Sequence, residues 1–158
     1  MILWRISNYA DLSGRGGLLA PGRWHHQGTP VVYCCDHPST ALLEILVQVD
    51  LNQIPRDFQL LKIHCPDNIE AFDIRINPAA INQTSLTRDR GSKLLEDNDF
   101  CLLRVPSAIM PEAANILINP RHPDASRLTI EETIRYPFRQ PTIALRKSRV
   151  SDQERRAA

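Results

Sequence analysis

"GRWHHQGTPVVYCC", residues 22–35, gathers an arginine, a tryptophan, two histidines and a tyrosine around a glycine turn and then runs into an apolar stretch. Its last six residues, "PVVYCC", are rich in β-branched and aromatic side chains and short, as a buried strand is. Polar groups at the mouth of a buried strand are costly to desolvate, so their concentration here argues for a cleft beside the strand. A metal site, a nuclease site and a nucleotide pocket all fit this segment taken alone.

Working outward, "MILWRIS" (residues 1–7) reads as a first strand, followed by the glycine-rich "LSGRGG" and then Pro21-Gly22, which mark loop and turn. On the other side, "HPSTALLEILVQVDL" reads as a helix that Pro38 begins and Ser39 or Thr40 caps. "FQLLKIHCP" is a second core strand ended by Pro66. Residues 66–83, broken by Pro78 and several Asn and Asp, read as loop with one short strand. "SLTRDRGSKLLED" is an amphipathic helix weakened by Gly91. "CLLRV" and "NILIN" are two further strands joined by a connection. The pattern predicts an α+β domain of several short strands and about three helices over residues 1–145, with a charged tail, "RKSRVSDQERRAA", at 146–158.

At 158 residues the chain is long enough for one domain with a sizeable core. The formal charge is +1, from 19 basic and 18 acidic side chains, which makes no general case for direct nucleic-acid binding or for a membrane-surface protein. No apolar run approaches the roughly 20 residues that span a bilayer, and "MILWRIS" lacks the form of a secretory signal. The four cysteines, Cys34, Cys35, Cys65 and Cys101, make no dense framework and read as reduced, mostly buried thiols of a cytoplasmic protein. Cys34 and Cys35, adjacent in a strand, should point to opposite faces.

Several residues could carry chemistry. On the helix after Pro38, apolar residues cover most of the circumference and leave Glu44 and Gln48 as a narrow polar stripe. So apolar a helix should be largely buried, which puts Glu44 at an edge, in a cleft or beside a partner. The same stripe also suits a solvent-facing glutamate. Arg23 can grip a carboxylate or phosphate with two parallel bonds, or simply cover Trp24. Tyr33 sits in an otherwise apolar run, so its hydroxyl needs a partner. His25, His26 and His37 with Cys34 and Cys35 fit neither paired C-x2-C nor H-E-x-x-H spacing, so no metal is expected. "SGRGG" lacks the full phosphate-loop patterns. Ser107 lacks a G-x-S-x-G elbow. Asn119, Arg121 and His122 lie in the proline-bounded loop "NPRHPDA", which could line a cleft or lie on the surface.

Taken in order, "LWRIS", "LSGRGG", "GRWHHQGTPVVYCC", "STALLEILV" and "RVPSAIMPEAANILINPRHPDA", spanning residue 3 to about 125, resemble the RES-domain family. These are the toxins of RES–Xre toxin–antitoxin modules. The family's arginine maps to Arg23, its glutamate to Glu44 and its usual tyrosine to Tyr33, while Ser107 is the choice for its serine and Arg5 is an alternative arginine. His25 departs from the pattern, which has Asn after "GRW". The resemblance implies an ADP-ribosyltransferase-like fold with a small split β-sheet core that takes NAD+ as substrate. It implies a toxin that breaks the nicotinamide–ribose bond by phosphorolysis or hydrolysis, or passes ADP-ribose to a protein, and a small Xre-like DNA-binding antitoxin that blocks the pocket. Arg23, Tyr33 and Glu44 would then be catalytic, and Arg5, Arg23, Tyr33, Ser107 and Asn119 would bind NAD+. Two other classes compete: a ribonuclease-type toxin using His25, His26 and His122, and a non-catalytic binding module.

Overall fold

The apolar part of the opening segment becomes β2 (Val32–Cys35), near the middle of a seven-stranded sheet in the computed structural model, which describes residues 1–47, 58–110 and 112–135. Around it lie β1 (Ile2–Ser7), α1 (Arg15–Leu19), α2 (Pro38–Leu46), β3 (Gln59–His64), β4 (Ala71–Asp73), α3 (Thr84–Asp97), β5 (Leu102–Pro106), β6 (Ala114–Ile118) and β7 (Thr129–Arg135). Single turns of 3-10 helix occur at Pro78–Ala80 and Pro123–Arg127. The strand order is β4-β5-β6-β2-β1-β3-β7. Neighbours are antiparallel except β4 and β5, which run parallel.

The sheet nearly parts between β1 and β2. Six residue pairs join β1 to β3, but only Trp4 and Cys35 are in register between β1 and β2. The split core expected from the resemblance is thus a single sheet pinched at its centre. Arg5 bridges the pinch, its Nη1 donating to the Tyr33 carbonyl oxygen at 3.1 Å.

Alternation along β2 sorts its side chains as a pleated strand must. Val32 and Cys34 face the main core with Leu3, Leu61, Ile63, Ile116 and Ile118. Tyr33 and Cys35 face the other side, opposite Leu117 and Asn115 of β6, where Tyr33 packs with Trp24 and Leu103, and Cys35 with Ile6 and Ala41. The two adjacent cysteines therefore enter different clusters, as expected. Each fully buried Leu or Ile of these clusters contributes roughly 1.5–3 kcal/mol by leaving water. All four cysteines are free thiols. Among the described residues no helix is long and apolar enough to cross a membrane.

Several sequence expectations change. The cap of α2 is His37, not Ser39 or Thr40: Pro38 takes the first helical position, where its missing N–H costs nothing, and His37 Nδ1 accepts from the Ser39 N–H at 3.2 Å. Nor is α2 largely buried. Ala41 is its one fully buried residue, and Leu43 and Val47 are 38% and 63% exposed, because the helix lies on the sheet by one stripe only. Gln48 and Val49 fall outside the described residues, as does the 146–158 tail. The glycine-rich segment expected as loop holds the short helix α1, and β7, which the sequence did not announce, forms a sheet edge.

Gly91 does not weaken α3 by accident. A Cβ there would fall 2.0 Å from the Trp24 carbonyl oxygen. Only glycine lets α3 approach the loop that precedes β2, and that loop carries the site.

Candidate functional site

A cavity of about 360 Å³ opens at the pinch, between β1, β2, α1, α2 and the 20–25 loop. That loop is laced to α3: the Thr87 hydroxyl donates to the Arg23 carbonyl at 2.6 Å, and Arg88 Nε donates to the Gly22 carbonyl at 2.7 Å. Gly22 allows the loop to close on itself, since a Cβ would lie 2.7 Å from the Tyr33 hydroxyl and 2.6 Å from the His25 ring.

Glu44 lines this cavity, half-buried, projected from α2 toward the ends of β5 and β6. Its Oε1 accepts from the Ser107 hydroxyl at 2.9 Å and from Asn115 Nδ2 at 2.7 Å. Ser107 follows β5, and its Oγ also accepts the backbone N–H groups of Ile109 and Met110 at 3.1 and 3.2 Å. The serine hydroxyl is therefore pinned by its own turn and has its proton to give to the glutamate. Among the described residues both of these bonds fall on one carboxylate oxygen.

The tyrosine is held just as firmly. Its hydroxyl accepts the Trp24 N–H at 3.0 Å and lies 2.9 Å from His25 Nδ1. His25 Nε2 lies 3.0 Å from the Ala20 carbonyl, which can only accept. The proton must then sit on Nε2, and Nδ1 receives the tyrosine O–H. Burial lowers the His25 pKa, with the nearby Arg88 charge adding to it, in keeping with a neutral ring. Burial likewise pushes the Tyr33 hydroxyl above its usual range. With both its hydrogen-bonding roles filled, Tyr33 presents its ring to the cavity.

Arg5 and Arg23 both line the cavity. Arg23 Nη1 donates to the Ile81 carbonyl at 2.8 Å, which anchors the guanidinium and, among the described residues, leaves its other N–H groups for a ligand. Among the described residues Arg5 Nε is buried without a partner. The cavity thus combines one carboxylate, two arginines and an aromatic wall of Trp4, Trp24 and Tyr33.

Of the residues expected from sequence, Arg5, Arg23, Tyr33 and Glu44 converge here, and Ser107 reaches the cavity through Glu44. Asn119 does not. It is fully buried, its Nδ2 donating to the Leu95 carbonyl and to Asn98 Oδ1, each at 2.9 Å, and its Oδ1 accepting the Arg121 N–H at 3.1 Å. It fastens the C-terminal end of α3, where the last carbonyls lack helical partners. The position expected for it is taken by Asn115, four residues earlier, which the sequence reading passed over. Its signal was a single amide inside the otherwise apolar "ANILI" run, the same kind of signal that singled out Tyr33. The three histidines do not gather: His26 pairs with Asp89 on α3 at 2.6 Å, and His122 caps the Pro123–Arg127 turn. Among the described residues no three His, Cys, Asp or Glu side chains cluster closely enough to hold a metal ion.

The RES domain family model matches residues 2–139. The chain belongs to the RES domain family. Among its relatives, "Toxin Res" of Pseudomonas putida is 48% identical over 134 residues, covering 83% of this chain and 92% of that protein. The "Prs ADP-ribosylating toxin" of a Sphingobium species is 34% identical over 135 residues, covering 77% and 84% respectively. In three dimensions the RES domain superposes on a chain of the Mycobacterium tuberculosis MbcT–MbcA toxin–antitoxin complex, with a TM-score of 0.67 over 84% of this chain and 82% of that one. At 15% identity this likeness speaks to the fold alone, and it bears out the expected α+β class.

Proposed function

We propose that this protein is the toxin of a toxin–antitoxin pair and that it binds NAD+ in the central cavity and breaks the bond between nicotinamide and ribose. The observation that carries this reading is the Glu44 carboxylate, fixed by Ser107 and Asn115 in one cavity with Arg5, Arg23 and the Tyr33 ring. Cleavage of that bond passes through a state in which positive charge grows on the ribose. A carboxylate oriented before the reaction stabilises that charge and accepts a hydrogen bond from a ribose hydroxyl. Tyr33, its hydroxyl occupied, stacks its ring on the flat cationic nicotinamide. Arg23 takes the pyrophosphate with the N–H groups not spent on Ile81, and Arg5 adds a second positive charge. Ser107 acts by holding Glu44 rather than by touching the sugar. A cavity of about 360 Å³ is of the size that small-molecule sites occupy.

The acceptor of the ADP-ribose is water, phosphate or a protein side chain. Transfer to a protein gains support from the relative named as an ADP-ribosylating toxin. A ribonuclease reading finds none, since His25, His26 and His122 are engaged in three separate places. The partner we propose is a small Xre-like DNA-binding antitoxin seated over the cavity mouth, in line with the toxin–antitoxin complex that shares this fold.

The test is incubation of the purified protein with NAD+, with and without inorganic phosphate, followed by NMR. Nicotinamide release that depends on phosphate identifies a phosphorylase, and release without phosphate a hydrolase. Glu44→Ala should be folded and inactive. NAD+ left intact by the unmutated protein in every condition would remove water and phosphate as acceptors and leave transfer to a protein target.

A further inference from the structure

Asn115 can hold Glu44 only if its amide is turned the right way, and the structure shows what turns it. Cys35 and Asn115 are direct register partners across β2 and β6. An ionised carboxylate only accepts hydrogen bonds, so the amide nitrogen must face Glu44, as it does at 2.7 Å. The amide oxygen then faces Cys35, whose Sγ lies 3.1 Å away and donates to it. Turned over, the amide would set its oxygen against the carboxylate oxygen and its nitrogen against a thiol that accepts poorly.

We propose that Cys35 is a positioning residue for Glu44, its thiol locking the Asn115 amide in the one orientation that presents Nδ2 to Oε1. The inference rests on the role given to Glu44 above. Cys35 is suited to the task. It lines the cavity yet is only 5% exposed, and burial, then the neighbouring Glu44 charge, push its thiol up to about 12, so it stays a protonated donor. The chain Cys35 to Asn115 to Glu44, joined at Oε1 by Ser107, links residues 63 to 80 positions apart in sequence into one hydrogen-bonded unit. A thiol rather than a hydroxyl fits the apolar contact with Ile6 and Ala41 on the same face.

The experiment compares the unmutated protein with Cys35→Val, which loses the donor and stays apolar with one methyl group more, and with Cys35→Ser, which keeps a donor. For NAD+ cleavage, Cys35→Val should lower kcat by about fivefold with KM unmoved, and Cys35→Ser should recover most of the loss. In ¹⁵N-labelled protein the Asn115 side-chain amide should show one proton shifted downfield by its bond to the carboxylate, a shift lost in Cys35→Val and kept in Cys35→Ser. An unchanged kcat together with an unchanged Asn115 amide in Cys35→Val would overturn the proposal. Should the unmutated protein leave NAD+ intact, water and phosphate fall as acceptors, and the amide resonance alone decides the role of Cys35. Its loss in Cys35→Val supports that role, and its persistence refutes it.

Discussion

The Ser107 hydroxyl lies 2.9 Å from Glu44 Oε1, joining a turn after β5 to the last turn of α2 across 63 residues of chain. Because Ser107 Oγ already accepts two backbone N–H groups, its proton has one direction to go. A serine and a glutamate far apart in sequence are thus a single donor–acceptor pair in space.

Replacing Ser107 by alanine removes one of the two donors to the carboxylate and leaves the Ile109 and Met110 N–H groups without their acceptor. Turnover should fall by about tenfold, as expected for the loss of one charge-assisted hydrogen bond, and stability by about 1 kcal/mol. Steady-state NAD+ cleavage beside urea denaturation separates the two effects. A full kcat at reduced stability would confine Ser107 to a structural part.

Gly91→Ala inverts the usual sign of a helix substitution. In an exposed helix, alanine for glycine stabilises by about 1 kcal/mol. Here the added methyl would meet the Trp24 carbonyl at 2.0 Å, against backbone that cannot move without unseating Arg23 and Trp24. The variant should lose about 1–3 kcal/mol by overpacking, and its NAD+ cleavage should drop with it as the 20–25 loop shifts. Thermal melting checks the first outcome; a raised Tm would show that α3 and the loop are not in tight contact.

His25 gives the fold a dependence on pH. Burial sets its folded pKa below the ordinary 6.5, so on acidification the unfolded chain takes up a proton before the folded one does. Stability is full above about 6.5, declines as pH falls from there to the folded pKa, and levels off below it, at about 1.4 kcal/mol for each unit of depression. Urea titrations from about pH 8 to about pH 5 should show this loss in the unmutated protein and a smaller one in His25→Gln, which has no ring to protonate. Equal slopes in the two proteins would mean that the His25 ring takes a proton without disturbing its place between Tyr33 and Ala20.

What could be read in the sequence depended on how local the cause was. β1, β2, β3, β5, β6, α2 and α3 were legible because short β-branched runs and a helical apolar period act over a few residues. α1 was not, since a glycine-rich helix of five residues has little propensity of its own and rests on its packing against residues 29–31. β7 was hidden by a bulge. Its register skips a residue opposite Lys62 and Ile63, so Ile130 pairs with Ile63 and Ile134 with Leu60, on opposite faces of the sheet. Neither a period of two nor one of 3.6 describes such a strand.

By itself the sequence determined the fold class, through local periodicity, and the family, through motifs that resemble RES domains; that resemblance is also what implied a shared pocket for Arg5, Arg23, Tyr33 and Glu44. Tertiary structure decided the rest of the site: that Asn115 rather than Asn119 reaches Glu44, that Ser107 serves the glutamate, and that Cys35 faces the amide. Two asparagines four residues apart look alike on the page. Asn115 ends in the cavity because strand register pairs it with Cys35 across β2 and β6, whereas Asn119, just past the end of β6, is held under the last turn of α3 by Leu95 and Asn98; both placements are contacts between distant parts of the chain.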